Sequence, residues 1–149
     1  MKEIKTFEDA CASLSINVDQ FNKDNAGRDI DSIAYEKLKI ISRALNGEWE
    51  PRLGEVDYAY TPVFVIYTPD EVKDMDDSLK EESVFFGGDA ANGICALRFY
   101  YAPYSPTYAA TYIAGGFRVA LRNRELATYS GEKFIDIWCE FLTGKKVLK

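Results

Sequence analysis

Arg98, Arg118 and Arg122 frame a tyrosine-rich run, "RFYYAPYSPTYAATYIAGGFRVALR", that includes Tyr100, Tyr104 and Tyr108. Guanidinium forks meet phosphates and carboxylates, while tyrosine rings stack on bases or anchor protein interfaces. From Phe99 to Phe117 the chain carries no charge, and residues 98–124 hold four arginines and no acid. On strands, alternation puts Arg98 with Tyr100 on one face, and Arg118 with Arg122 on another. If those two strands pair with matching faces, the arginines gather into one patch. Tyr104 and Tyr108 would flank it from a loop. A half-exposed antiparallel face accounts for most of the tyrosines, because tyrosine is a good strand former. The arginine-bearing face is the candidate partner surface.

Other chemistries find little support. The sequence has no histidine, which removes the usual general base, the commonest zinc ligand and every Ser-His or Cys-His nucleophile pair. Acids are plentiful, but no spacing brings two carboxylates together. Gly87, Gly88 and Gly93 resemble a phosphate-cradling loop without the Gly-Lys-Ser/Thr that must follow it. "DMDDSLKEE" and "DNAGRDIDS" lack the spacing of a calcium-binding EF-hand loop. Cys11, Cys95 and Cys139 are odd in number and widely spaced, so they suit neither a disulfide framework nor a zinc site. Each is expected to be a small buried apolar residue. No enzyme, cofactor or metal is expected.

The elements that would position the candidate surface follow from periodicity. "TFED" offers Thr6 as a helix cap with a carboxylate at the third helical position. That first helix ends near "SLSI", and "NKDNAGRD" reads as a loop. Ile30, Ala34, Leu38, Ile41 and Leu45 form one stripe of a second helix, which Asn46-Gly47 stops. "YTPVFVIYT" is apolar on both faces and reads as an interior strand. "VFF" and "ICALRFYYA" are further strands, the latter with Cys95, Leu97, Phe99 and Tyr101 on one side. "TYIAGGFRVAL" reads as another, with a bulge or bend at Gly115-Gly116 and with Phe117, Val119 and Leu121 inward. Leu126, Ser130, Phe134, Ile137 and Phe141 line a C-terminal helix that Gly144 closes; Gly131 marks a kink or a close approach. "KKVLK" is expected to fray.

These elements predict a single α+β domain over 1–149, with an antiparallel sheet of about four to five strands against N-terminal helices and a long C-terminal helix. Residues 1–47 form the helical part, 48–122 the sheet part, and 123–144 the C-terminal helix. Residues 70–82 carry seven acids and two lysines and are expected to form an exposed loop. A hydrophobic fraction of 47% is that of a globular chain. The formal charge of −6 opposes a sequence-independent grip on nucleic acid over the whole surface. Acids interrupt "MKEIKTFEDACASLSI" before an apolar core can form, so no leader is expected. The uncharged run 99–117 is nearly bilayer-long, but its prolines, glycines and hydroxyls oppose a membrane helix, and no membrane partner is expected.

"FEDACASLSI", "IAYEKLKIISRALNGEWEP" and "GGFRVALRNRELATYSGEKFIDIWCEFL" resemble a family of short proteins encoded by bacteriophages and integrated prophages of gut bacteria. The resemblance covers both ends and thins through the acidic middle, and the family has a denser aromatic strand where this chain has "YTPVFVI". It implies a setting, the bacterial host cytoplasm or a virion, and no residue role or cofactor. In that setting the expected function is a non-enzymatic protein-interaction, assembly or host-directed module, meeting a protein partner or a second copy. The alternative is a nucleic-acid binder working through the Arg/Tyr face.

Overall fold

The computed structural model describes residues 3–51, 58–88, 93–106 and 117–149. It shows an α+β fold in which a small antiparallel sheet packs against N-terminal and C-terminal helices. Helix α1 spans Phe7–Ser13. The Thr6 hydroxyl accepts the Asp9 N–H at 3.1 Å and the Asp9 carboxylate accepts the Thr6 N–H at 3.0 Å, the reciprocal capping expected from "TFED". Helix α2, Val18–Asp24, was expected as a loop in its second half. Asn17 caps it by accepting the Gln20 N–H at 2.8 Å, and Phe21 anchors it in the core against Phe7, ring centres 4.9 Å apart. One buried ring holds a helix too short and polar to show periodicity.

Helix α3 spans Ile30–Asn46 and stops at Gly47, whose φ of 65° favours glycine. Ala34, Leu38 and Ile41 are fully buried, as the stripe requires. They face other helices instead of the sheet: α3 packs on α1 and on α7, Ile135–Thr143. The expected single C-terminal helix is two, α6 (Arg124–Lys133) and α7, broken at Phe134. Trp138 lies at the centre, fully buried, its indole N–H donating to the buried Ser130 hydroxyl at 3.1 Å. That bond explains a serine on an apolar stripe.

Among the described residues, five strands pair antiparallel in two groups, a three-stranded sheet and a two-stranded ribbon, where one sheet was expected. Strands β2 (Val63–Tyr67), β3 (Ser83–Gly87) and β4 (Ile94–Tyr101) lie in the order β2-β4-β3. Strands β1 (Tyr58–Tyr60) and β5 (Tyr104–Pro106) form a separate ribbon. The central strand is β4, with Leu97 and Ala96 fully buried; β2 is an edge strand. Phe64 of β2 packs on Trp138, while Ile66 is half exposed, so the apolar run is that of a partly covered edge strand and not of an interior one. Gly131 of α6 lies against β4: a Cβ there would sit 2.5 Å from Phe99 Cδ2 and 2.8 Å from Pro62 Cβ. Close approach, not a kink, is its role.

Three further expectations change. Residues 70–82 are not an open loop: α4 (Pro69–Lys73) and α5 (Asp77–Glu81) occupy them. Thr68 and Glu71 make a capping box with Pro69 in the first turn, Asp76 caps α5, and Met75 between them is buried. Residues 117–122 are not a strand. Phe117–Val119 form a 3-10 turn, after which Leu121 makes an isolated bridge to Tyr60. Val119, Ala120 and Leu121 are buried in succession between exposed Arg118 and Arg122, so the segment lacks the alternation of a half-exposed strand. The Val119 and Ala120 carbonyls accept hydrogen bonds from Ser42 Oγ at 3.0 Å and Asn46 Nδ2 at 2.9 Å. Side chains of α3 thus serve backbone groups that a neighbouring strand would otherwise satisfy. The bend at Gly115-Gly116 lies outside the described residues. The tail does not fray either: Val147 bridges Phe86, and the Leu148 N–H donates to the Phe85 carbonyl at 2.7 Å.

Candidate interaction surface

The six candidate residues occupy different parts of the fold. Arg98 lies on β4 with its side chain mostly buried. Its Nε and Nη2 donate to the Tyr67 hydroxyl at 3.1 and 3.0 Å, and Nη1 lies 3.7 Å from Glu82 Oε2. Arg98 borders a half-open depression of about 520 Å³, with Glu81, Glu82, Tyr100 and Glu132 also on its walls. Acids surround this guanidinium, which already holds a carboxylate and a phenol. Its charge is answered from within the chain.

Arg118 borders another depression, beside α3, whose walls include Lys39, Arg43 and Glu50. Arg122 follows the bridge at Leu121; its backbone N–H donates to Asn46 Oδ1 at 3.0 Å while the residue stands exposed. With no strand at 117–122 to pair with β4, the arginines do not share a sheet face. Tyr108 lies outside the described residues.

The tyrosines, by contrast, come together. Tyr104 on β5 is 55% exposed and meets Tyr58 and Tyr60 of β1, with ring centres 5.3 and 5.7 Å apart. The Tyr60↔Tyr104 register and the i, i+2 spacing of Tyr58 and Tyr60 place these three rings together, with Ala59 buried beneath. Arg124, at the start of α6, places its guanidinium carbon 6.0 Å from the Tyr60 ring centre. At the end of β4, Tyr100 and Tyr101 touch edge to face at 4.9 Å and are 58% and 46% exposed. Tyr58, Tyr60, Tyr101 and Arg124 were not among the expected site residues. The "YAY" alternation signals two rings on one side, but only the pairing of β1 with β5 brings Tyr104 to them.

Cys11 and Cys139 are buried and poorly placed for nucleophilic work, whereas Cys95, expected to be buried, is only partly so. Burial pushes Cys139 up to about 11, although its contact with the Thr143 hydroxyl opposes the shift. Burial also raises Cys11, and Glu8 adds to the effect. Among the described residues no group of three or more Cys, Asp or Glu could hold a metal ion, and no helix is long and apolar enough to cross a membrane. No family model, no curated protein and no solved structure matches the chain.

Proposed function

We propose that this protein is a non-enzymatic interaction module that meets a protein partner, or a second copy, through the tyrosines of the β1–β5 ribbon and the end of β4. The observation that carries this reading is the exposure of Tyr58, Tyr100, Tyr101 and Tyr104, each between 46% and 58%, among rings that already touch one another. Preassembled rings lose little conformational entropy on binding, and tyrosine and arginine are the residues that anchor interface centres. On the resemblance to phage and prophage proteins, the partner we propose is a virion or host-cell protein.

A photo-crosslinking amino acid at position 104 tests this, with position 80 on exposed α5 as the control. A discrete adduct from 104, absent from 80 and lost on Tyr58→Ser, is the expected result. Equal labelling from both positions, or none from 104, overturns it. The second reading, a single-strand nucleic-acid binder, rests on Arg124 over Tyr60. Saturable binding of a labelled oligonucleotide that weakens steeply with salt and needs Arg124 would favour it.

A further inference from the structure

A second surface lies away from the tyrosines, where α3 meets the Phe117–Val119 turn. Lys39, Arg43 and Arg118 line a half-open depression of about 620 Å³, together with Glu36, Glu50, Ile40 and Pro51. Glu36 is taken up within α3 and its approach: Lys39 Nζ lies 2.9 Å and Arg28 Nη1 3.8 Å from its carboxylate. Among the described residues, neither Arg43 nor Arg118 has an ion-pair partner. Three cations and two carboxylates leave the walls net positive in a chain of charge −6. The volume is within the range of about 300–1,000 Å³ usual for small-ligand sites.

The backbone segments that carry the two arginines are also held in relation to one another. Arg43 follows Ser42 on α3, and Arg118 precedes Val119 in the turn. Ser42 and Asn46, both buried, bind the Val119 and Ala120 carbonyls, fixing the turn to the helix on either side of Arg43. A site whose donors are carried by clamped backbone loses less freedom on binding. Two guanidinium forks with a nearby ammonium suit a doubly charged oxyanion better than a single carboxylate. Ile40 and Pro51 offer contact to an apolar group attached to that anion.

We propose that this depression binds a small organic phosphate monoester, with Arg43 and Arg118 taking the phosphate oxygens, Lys39 adding charge, and Ile40 and Pro51 covering the organic part. This site is independent of the tyrosine surface, and its failure would leave that reading untouched. Phenyl phosphate is the probe, titrated at constant ionic strength and followed by chemical shifts of the full-length chain. Saturable binding should weaken about tenfold or more in Arg43→Ala and in Arg118→Ala, since each removes a charge-assisted contact. Arg118→Lys should restore only part of the loss, and Glu50→Gln should tighten binding. Arg122→Ala, which removes an exposed charge outside the depression, should change little. Both arginines are exposed, so melting of the unliganded variants should match the parent. Absence of saturation, an equal loss in Arg122→Ala, or equal affinity for inorganic phosphate would overturn the proposal. So would a single-stranded oligonucleotide that outcompetes phenyl phosphate while depending on the same two arginines.

Discussion

The α3–α7 layer and the tyrosine surface are both rich in aromatic rings, yet their surroundings differ. In the layer, Trp138 contacts Phe64 and Phe141 at 5.7 and 6.1 Å and is fully buried. Its single polar atom has a partner in Ser130. At the ribbon, Tyr58, Tyr60 and Tyr104 make ring contacts at similar distances on strands of only three residues, and Tyr58 and Tyr104 are about half exposed. Ring contact alone therefore does not mark a core. Depth of burial does, and it separates rings that hold the fold from rings that are available to a partner. Substitutions in the two regions should differ accordingly, in stability for the first and in binding for the second.

The largest effect is expected inside the layer. Ile41→Asp places a carboxylate without a partner at a fully buried position and should unfold the chain, seen as loss of a cooperative melting transition. Trp138→Ala removes the largest fully buried side chain and strands the Ser130 hydroxyl, costing about 3–5 kcal/mol in denaturant unfolding. A folded Ile41→Asp variant with unchanged melting would mean that the stripe of α3 is not the face that holds the molecule together.

That stripe was legible in the sequence because a helix of seventeen residues repeats its pattern several times. The reciprocal cap at Thr6 and Asp9 was legible for a different reason: both halves lie within four residues. The helix at 69–73 had a local signal as well, Thr68-Pro69-Asp70-Glu71, which the density of acids concealed. Nothing local could have shown that Val119 and Ala120 are served by Ser42 and Asn46, 77 and 74 positions away. Reading 117–122 as a strand assumed that its backbone needed a strand for a neighbour. The grouping of Arg98 with Arg118 rested on that assumption and goes with it. Tyr100 was legible as a half-exposed strand residue, whereas Tyr104 was expected in a loop; its place on β5 beside the β1 tyrosines needed tertiary pairing to be seen.

Gly131 connects the two regions, since α6 lies against Phe99 on the strand that leads to Tyr100 and Tyr101. Alanine in a helix normally stabilises relative to glycine by up to about 1 kcal/mol. Here its methyl group would stand 2.5 Å from the Phe99 ring and 2.8 Å from Pro62. Overpacking of this kind costs about 1–3 kcal/mol, so Gly131→Ala should lower the denaturation midpoint despite its better propensity. A rise in the midpoint would show that α6 can move off the sheet freely.

Alkaline pH should weaken the helical layer. Burial raises the Cys139 thiol to about 11 from an ordinary 9.0, and burial also raises Cys11 and the Tyr129 phenol. Tyr129 donates to the Ile4 carbonyl at 2.6 Å, which ties α6 to the segment before α1 and requires the protonated form. Each group ionises more readily in the unfolded chain. Their contribution is whole below the unfolded values and is lost as pH rises through the folded ones, for Cys139 between 9.0 and about 11. Unfolding free energy measured over that interval should fall, and Cys139→Ala should fall less steeply. Parallel slopes would remove the thiol from the account.

The smallest stability effect is expected at the tyrosine surface, and Arg98 gives it a neighbouring standard. Arg98→Ala leaves Tyr67 without the guanidinium that donates to its hydroxyl and frees Glu82, for a cost of about 0.5–1.5 kcal/mol. Tyr100, two residues along β4, is 58% exposed, and its ring touches that of its neighbour Tyr101. Tyr100→Ser should change stability by no more than about 0.5 kcal/mol, the usual range for surface positions. Tyr104→Ser should behave alike, losing ring contacts to Tyr58 and Tyr60 but little burial. Parallel urea titrations of the three variants separate the roles. If Tyr100→Ser proves as costly as Arg98→Ala, the tyrosines at the end of β4 support the sheet, and their exposure is no evidence of a partner. If Arg98→Ala alone is costly, the arginine holds the acidic helices to β4 and the rings beside it are free for binding.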